Sequence, residues 1–245
     1  RGDLKLDTRN EAFSDFNNLV QITADFKQSE IATTDLKAFY AEFGGGYRID
    51  LSGKLTGTLN DFRVQNLNLR GIENSRVLGN VHFERLLSDG NTFRIDGDYR
   101  TLQTSYLDLT RLLPNVLGNS LPPELVRLGT ADLKGKLTVT ENTVYANADV
   151  QTDLGFLQTD IDFRNFQNIG QATYSGSLRG ERFNLGRLFK DPLLETASFN
   201  VTVDGKGLEA ETLATSVDGN ISRLRYKGYT YKGITVSGNL RNPVF

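Results

Sequence analysis

Among its 245 residues the sequence has no cysteine, no methionine, no tryptophan and a single histidine. Without Cys there are no disulfides, thiolate metal sites or thiol nucleophiles. The absence fits an oxidising compartment without requiring one. One His unsupported by Cys makes no ordinary metal site. No apolar run approaches the roughly 20 residues that cross a bilayer as a helix. The first residues also lack the basic stretch and apolar core of a signal peptide. Starting without Met and patterned to both ends, the chain 1–245 reads as one continuous repeat segment of a longer protein. Proline is scarce, at 5 positions against 24 glycines, a ratio that suits strands joined by tight turns. Neither sign of charge dominates: the net charge is −2, which leaves no basic footprint for nucleic acid. A hydrophobic content of 38% is too high for a disordered linker.

What is present is a period of two, repeated along the chain. Ile49, Leu51, Leu55 and Leu59 alternate with Asp50, Ser52, Lys54 and Thr58. The same alternation runs through Leu67 and Leu69, then Val77, Val81 and Phe83, then Phe93, Ile95 and Tyr99. It continues in Leu133, Leu137 and Val139, in Val144, Ala146 and Val150, and in Leu157, Ile161 and Phe163. Tyr174 and Leu178, then Phe199, Val201 and Val203, and finally Ile234, Val236 and Leu240 complete it. Such alternation predicts strands of a sheet covered on one face, because strands buried on both faces read as continuous apolar runs.

Three short amphipathic helices are predicted. Thr34–Phe43 has a capping Thr, apolar Leu36, Phe39, Tyr40 and Phe43, and a stop at Gly44–Gly46. Ser105–Leu113 ends before Pro114, and Phe183–Lys190 ends before Asp191 and Pro192. A Gly-bearing strand follows each, and Ile49-Asp-Leu-Ser-Gly-Lys-Leu-Thr-Gly57 recurs as Ala131-Asp-Leu-Lys-Gly-Lys-Leu-Thr-Val139. The unit is a helix followed by several strands, in approximate repeats 34–103, 104–180 and 181–245.

A sheet with one apolar face must cover it. Either it folds into a sandwich, with the apolar stripe as core, or it curls into a trough whose lining meets a cargo. Glycines at inward positions (Gly53, Gly79, Gly97, Gly135, Gly176, Gly238) favour the trough, since a sharply curled sheet needs places without a side chain.

The Asn184-Leu-Gly-Arg-Leu-Phe189 helix, the Asp50-Leu-Ser-Gly-Lys-Leu-Thr-Gly57 strand start, the Asp61–Leu69 run and the Tyr226–Leu240 stretch carry a family resemblance. From about residue 34 onward the chain resembles the repeats of the AsmA-like family, which includes TamB. The resemblance implies an all-β fold with a few short helices, an elongated curled antiparallel-rich sheet forming an open, U-shaped, taco-like groove with an apolar interior. It also implies a periplasmic location, as part of an inner-membrane-anchored bacterial protein, and a groove that conducts phospholipid acyl chains between inner and outer membrane. The implied protein partner is an outer-membrane barrel of the Omp85 type, met through regions outside this segment. No cofactor is implied. The alternating apolar residues named above are then the groove lining. The alternatives are a scaffold assisting assembly of outer-membrane barrels by strand addition, and a β-solenoid enzyme or adhesin acting on polysaccharide.

Little else suggests chemistry, and the reading is of a protein that is not an enzyme. His82 lies opposite Phe83 in the pattern and reads as a solvated outer residue. Asp160 and Asp162 share the outer face of one strand, which invites comparison with a glycosidase pair. Alternating charges are, however, what any half-exposed strand shows.

Overall fold

Alternating sequence becomes strands wherever a neighbour can take up the backbone hydrogen bonds. The computed structural model describes residues 2–9, 12–36, 46–86, 92–112, 123–168, 170–208 and 211–241. Thirteen strands result: β1 (Gly2–Asp7), β2 (Gln21–Ala32), β3 (Arg48–Gly57), β4 (Asp61–Ile72), β5 (Ser75–Glu84), β6 (Arg94–Ser105) and β7 (Thr130–Thr140). They continue as β8 (Thr143–Thr152), β9 (Gly155–Arg164), β10 (Thr173–Asn184), β11 (Leu194–Lys206), β12 (Ala214–Tyr226) and β13 (Tyr229–Arg241).

All thirteen form one sheet in chain order, each antiparallel to the next, with β1 and β13 at opposite edges. The sheet is open and curled, with its apolar face inside, and no second sheet covers that face among the described residues. At about 4.8 Å between strands the stack is roughly 60 Å long.

Short helices punctuate the sheet. A 3-10 turn (Ala12–Asp15) leads into α1 (Phe16–Leu19) between β1 and β2. The others are α2 (Thr33–Leu36), α3 (Tyr106–Leu112), a 3-10 turn at Pro123–Leu128, and α4 (Leu185–Phe189). α2 joins β2 to β3, α3 and its 3-10 partner join β6 to β7, and α4 joins β10 to β11. A single strand separates α1 from α2 and places α1 at the other end, whereas four antiparallel strands, an even number, separate α2 from α3 and α3 from α4, so these three helices share one rim. There Arg127 Nη1 donates to the Leu188 carbonyl at 2.5 Å, linking the 3-10 turn to α4.

Local chemistry sets the helix starts. The Asp108 N–H donates to Ser105 Oγ at 3.1 Å, and the Arg187 N–H donates to Asn184 Oδ1 at 2.9 Å. The third helix therefore begins later than expected: Phe183 completes β10 opposite Ala197, and Asn184 is the cap. The first begins at Thr33, whose Oγ1 accepts the Tyr47 N–H at 3.1 Å. Phe39, Tyr40, Phe43, Gly44, Leu113 and Pro114 lie outside the described residues.

Curvature is written into a band across the middle of the strands. On β2, β4 and β6 the pairing registers break at Gln28, Gln65–Asn66 and Arg100–Thr101, each an insertion that bends and twists its strand, and Gly53 of β3 faces the extra residue of β4. Asn66 adopts a left-handed φ of 51°, and its N–H donates to Asn80 Oδ1 at 2.9 Å. Further along, Gly135 occupies the same band with φ +141°, where an added methyl would lie 2.5 Å from the Asn147 carbonyl oxygen. Gly176 repeats this on β10, at φ +142° against the Asp160 carbonyl.

Candidate functional site

The inner face is ordered by pairing into four rows that run across the strands. One passes from Leu6 and Ile22 through Gly57, Phe62, Phe83, Ile95, Val139, Val144, Phe163 and Tyr174 to Gly205, Thr215 and Leu240. The next carries Ala24, Leu55, Val64, Val81, Gly97, Leu137, Ala146, Ile161, Gly176, Val203, Val217 and Gly238. A third joins Leu67, Gly79, Tyr99, Gly135, Ala148, Thr159, Leu178, Val201, Gly219 and Val236. The fourth runs unbroken from Leu51 through Leu69, Val77, Leu102, Leu133, Val150, Leu157, Gly180, Phe199 and Ile221 to Ile234. None of these positions holds Asp, Glu, Lys or Arg.

Of the lining residues expected from sequence, Ile49, Leu67, Val81 and Tyr99 are buried, and the others whose side chains are described are half-buried. Ile49 lies opposite Ile31, one step beyond the fourth row. Two sit beside the rows. Leu59 lies past the end of β3 and packs on Ala12, Val20 and Ile22 under the first helical turn, and Phe93 precedes β6. The structure adds Phe62, Val64 and Leu102, which strict alternation assigns to the outer face. The bulges in β4 and β6 shift the parity and bring them inside. The local signal is Asn66 between two apolar pairs, a residue tolerant of positive φ.

Aromatic rings fill glycine hollows. Tyr99 lies over Gly97, Tyr174 over Gly205 and Phe199 over Gly180, so a side chain added at these glycines would meet a ring. Phe62 and Phe83 stack with centroids 4.8 Å apart. The Tyr99 hydroxyl is pushed up to about 12 by burial, with the charge of Asp96 adding to the effect.

The outer face is the opposite in character. Arg94 with Asp96, Arg164 with Asp162 and Arg179 with Glu181 pair along single strands at 2.6, 2.8 and 3.0 Å. The guanidinium hydrogen bonds hold the Asp96 and Asp162 carboxyls below the usual range. Asp162 is thus committed to Arg164. His82 is on the outer face as expected, but its side chain is only 17% exposed, held by Asp61 at 2.7 Å with Glu84 at 3.7 Å. The ring is paired rather than freely solvated because Asp61 from the neighbouring strand and Glu84, two residues along the same strand, flank it. An open cleft of about 470 Å³ at the β9 to β13 rim is lined by Asp162, Arg164, Asp204, Lys206 and Arg241 and takes in Tyr174, Gly205 and Thr215 of the first row. At the helix rim, buried Asp108 accepts from Ser75 Oγ at 3.0 Å, and Ser75 also contacts Thr104 at 3.0 Å. Among the described residues no group of three or more His, Cys, Asp or Glu could hold a metal ion.

The class defined by this geometry is an all-β, single-layer open sheet with a continuous apolar inner face. No family model matches the sequence, and no curated protein or solved structure matches it either.

Proposed function

We propose that this chain is a periplasmic hydrophobic-groove segment that conducts phospholipid acyl chains between inner and outer membrane in support of outer-membrane biogenesis. The carrying observation is the set of four apolar rows, free of ionised side chains and running nearly the full length of an open sheet. A sandwich core would bury these rows, whereas most of their residues are half-exposed and leave apolar surface for a mobile ligand. Compartment, anchor and an Omp85-type barrel partner outside this segment are taken from the resemblance to AsmA-like repeats.

Acyl chains gain about 0.8 kcal/mol per methylene on leaving water, nearly what a bilayer offers, so a conduit works by presenting no step. A charge in mid-groove creates one. Ile161→Arg places it in the second row, where a cost of about 2.5 to 3.5 kcal/mol slows passage roughly a hundredfold or more. In full-length protein, lipid delivery and viability should be lost while the melt of the segment stays near wild type. Unimpaired delivery with the charge in place would sink the conduit. Lipid extracted from detergent-free protein should be mixed in headgroup, since no charged residue of the rows selects one.

One observation favours the second reading, assistance to barrel assembly. Strand β13, Tyr229–Arg241, stands at an edge of the described sheet and holds no Asp, Glu or Pro, its one charge between the ends being Lys232. Cysteine at Thr235 and a cysteine-bearing peptide copied from a barrel strand provide the assay. Register-specific disulfide capture together with normal lipid delivery by Ile161→Arg would select this reading.

A further inference from the structure

We infer that the corner where the β12–β13 turn meets α4 is a docking surface for an anionic phospholipid bilayer. It goes beyond the groove and uses different residues. Tyr229 is 71% exposed and Phe189 is 64% exposed, and Leu193 and Tyr231 are exposed beside them. Backbone ties hold them together: the Lys227 N–H donates to the Leu193 carbonyl at 2.8 Å, and the Gly228 N–H donates to Glu195 Oε1 at 3.2 Å.

Charge selects the partner. Residues 223–232 carry four cations (Arg223, Arg225, Lys227, Lys232) and no acid in a chain whose total is −2, and the neighbouring segment adds Asp191 and Glu195. Arg225 is taken by Glu195 at 2.9 Å. Lys227 lies over the Tyr226 ring, 5.4 Å from its centroid, and has no ion pair among the described residues. Lys190, in the left-handed conformation that ends α4, and Arg187 add charge on the neighbouring element. Rings and aliphatic chains interleaved with long cationic stems at a turn and a helix end suit a bilayer interface. There, rings settle at the headgroup boundary while ammonium groups meet lipid phosphates. An acidic protein would need the cations but not the exposed rings.

The opposite rim is the built-in control. Phe13 and Phe16 are also exposed, with rings 6.3 Å apart, but residues 7–19 carry Asp7, Glu11 and Asp15 against a single cation, Arg9, which pairs with Asp7.

The test is co-sedimentation of the intact chain with vesicles of phosphatidylcholine alone or mixed with phosphatidylglycerol, across a salt series. Binding should require phosphatidylglycerol and fall with salt. Lys227→Gln with Lys232→Gln should weaken it about 25-fold, at about fivefold per cation. Tyr229→Ser with Tyr231→Ser should also weaken it, and Phe13→Ser with Phe16→Ser should not, all at unchanged melts. Ile161→Arg should bind vesicles normally even where lipid delivery is lost, which separates failure of docking from failure of the conduit. Absent binding, equal binding to phosphatidylcholine alone, or wild-type binding by the tyrosine variant would overturn the inference. Polyglutamate bound as tightly by the tyrosine variant as by wild type would assign the corner to an acidic protein instead.

Discussion

The two halves of the sheet use the same alternation and end up packed differently. Around β4 to β6, Val64, Leu67, Val81 and Tyr99 form a buried cluster with Leu51, Leu55, Phe62, Leu69, Val77 and Phe83 against it. From β7 to β10 the register is unbroken for nine consecutive pairs at the β9–β10 step. In that stretch Ile161, Phe163, Tyr174 and Leu178 are all half-buried. The difference is bulges. Insertions at Gln28, Gln65–Asn66 and Arg100–Thr101 bend neighbouring strands at one level, so four residues of the apolar face become buried while those around them stay half-buried. From β7 to β10, where the facing registers run without a break, no comparable buried cluster forms among the described residues. One pattern thus yields a core in one half and a surface in the other.

The largest expected effect breaks the comparison directly. Val81→Arg puts a charge into the buried cluster and should cost about 3 to 5 kcal/mol, read as a collapsed thermal melt. Ile161→Arg, in the open half, should lower stability by less than about 1.5 kcal/mol, because the guanidinium can reach water along the groove. Equal losses would mean that both halves are closed. Leu137→Arg should fall between them, since Leu137 packs on the margin of the cluster.

Next in size is the glycine band. Gly135→Ala combines a disallowed φ with a clash against the β8 backbone, at about 1 to 3 kcal/mol. Gly238→Ala meets nothing within 4 Å and should stay within about 0.5 kcal/mol of wild type in a denaturant titration. The bulge itself can be probed at Asn66. Replacement by Gly should be nearly neutral, while Val should cost about 1 to 2 kcal/mol through its left-handed φ and loosen amide protection in β4 and β5.

Smallest is the effect of pH on the outer ladders. The Asp96 and Asp162 carboxyls are lowered from 3.8 by their arginines. Their contribution is present above the unfolded value and is lost as pH falls through the lower, folded one. Because both pairs are substantially exposed, each should be worth under about 1 kcal/mol. Asp96→Asn should flatten that acid limb slightly and lower stability at neutral pH by the same small amount, under about 1 kcal/mol.

Much of this molecule was legible because alternation is a local property. Val77, Val81 and Phe83, or Val144, Ala146 and Val150, announce a strand with one greasy face from their spacing alone. The sequence by itself determined an all-β chain, its turn-rich connections, the Ser105-capped helix, and an inner face without charges. It did not reveal that Phe62, Val64 and Leu102 belong to that face. A single extra residue reverses parity, and only the partner strand's register shows where it sits. Nor did it place His82 under Asp61 and Glu84, which approach from a neighbouring strand and from two residues along. Tertiary structure alone decided that the sheet stays open and where its inner face is most deeply buried. Curvature gathers at the positive-φ residues Gln28, Gly53, Asn66, Gly135 and Gly176, and their common level across the strands exists only once pairing has aligned them.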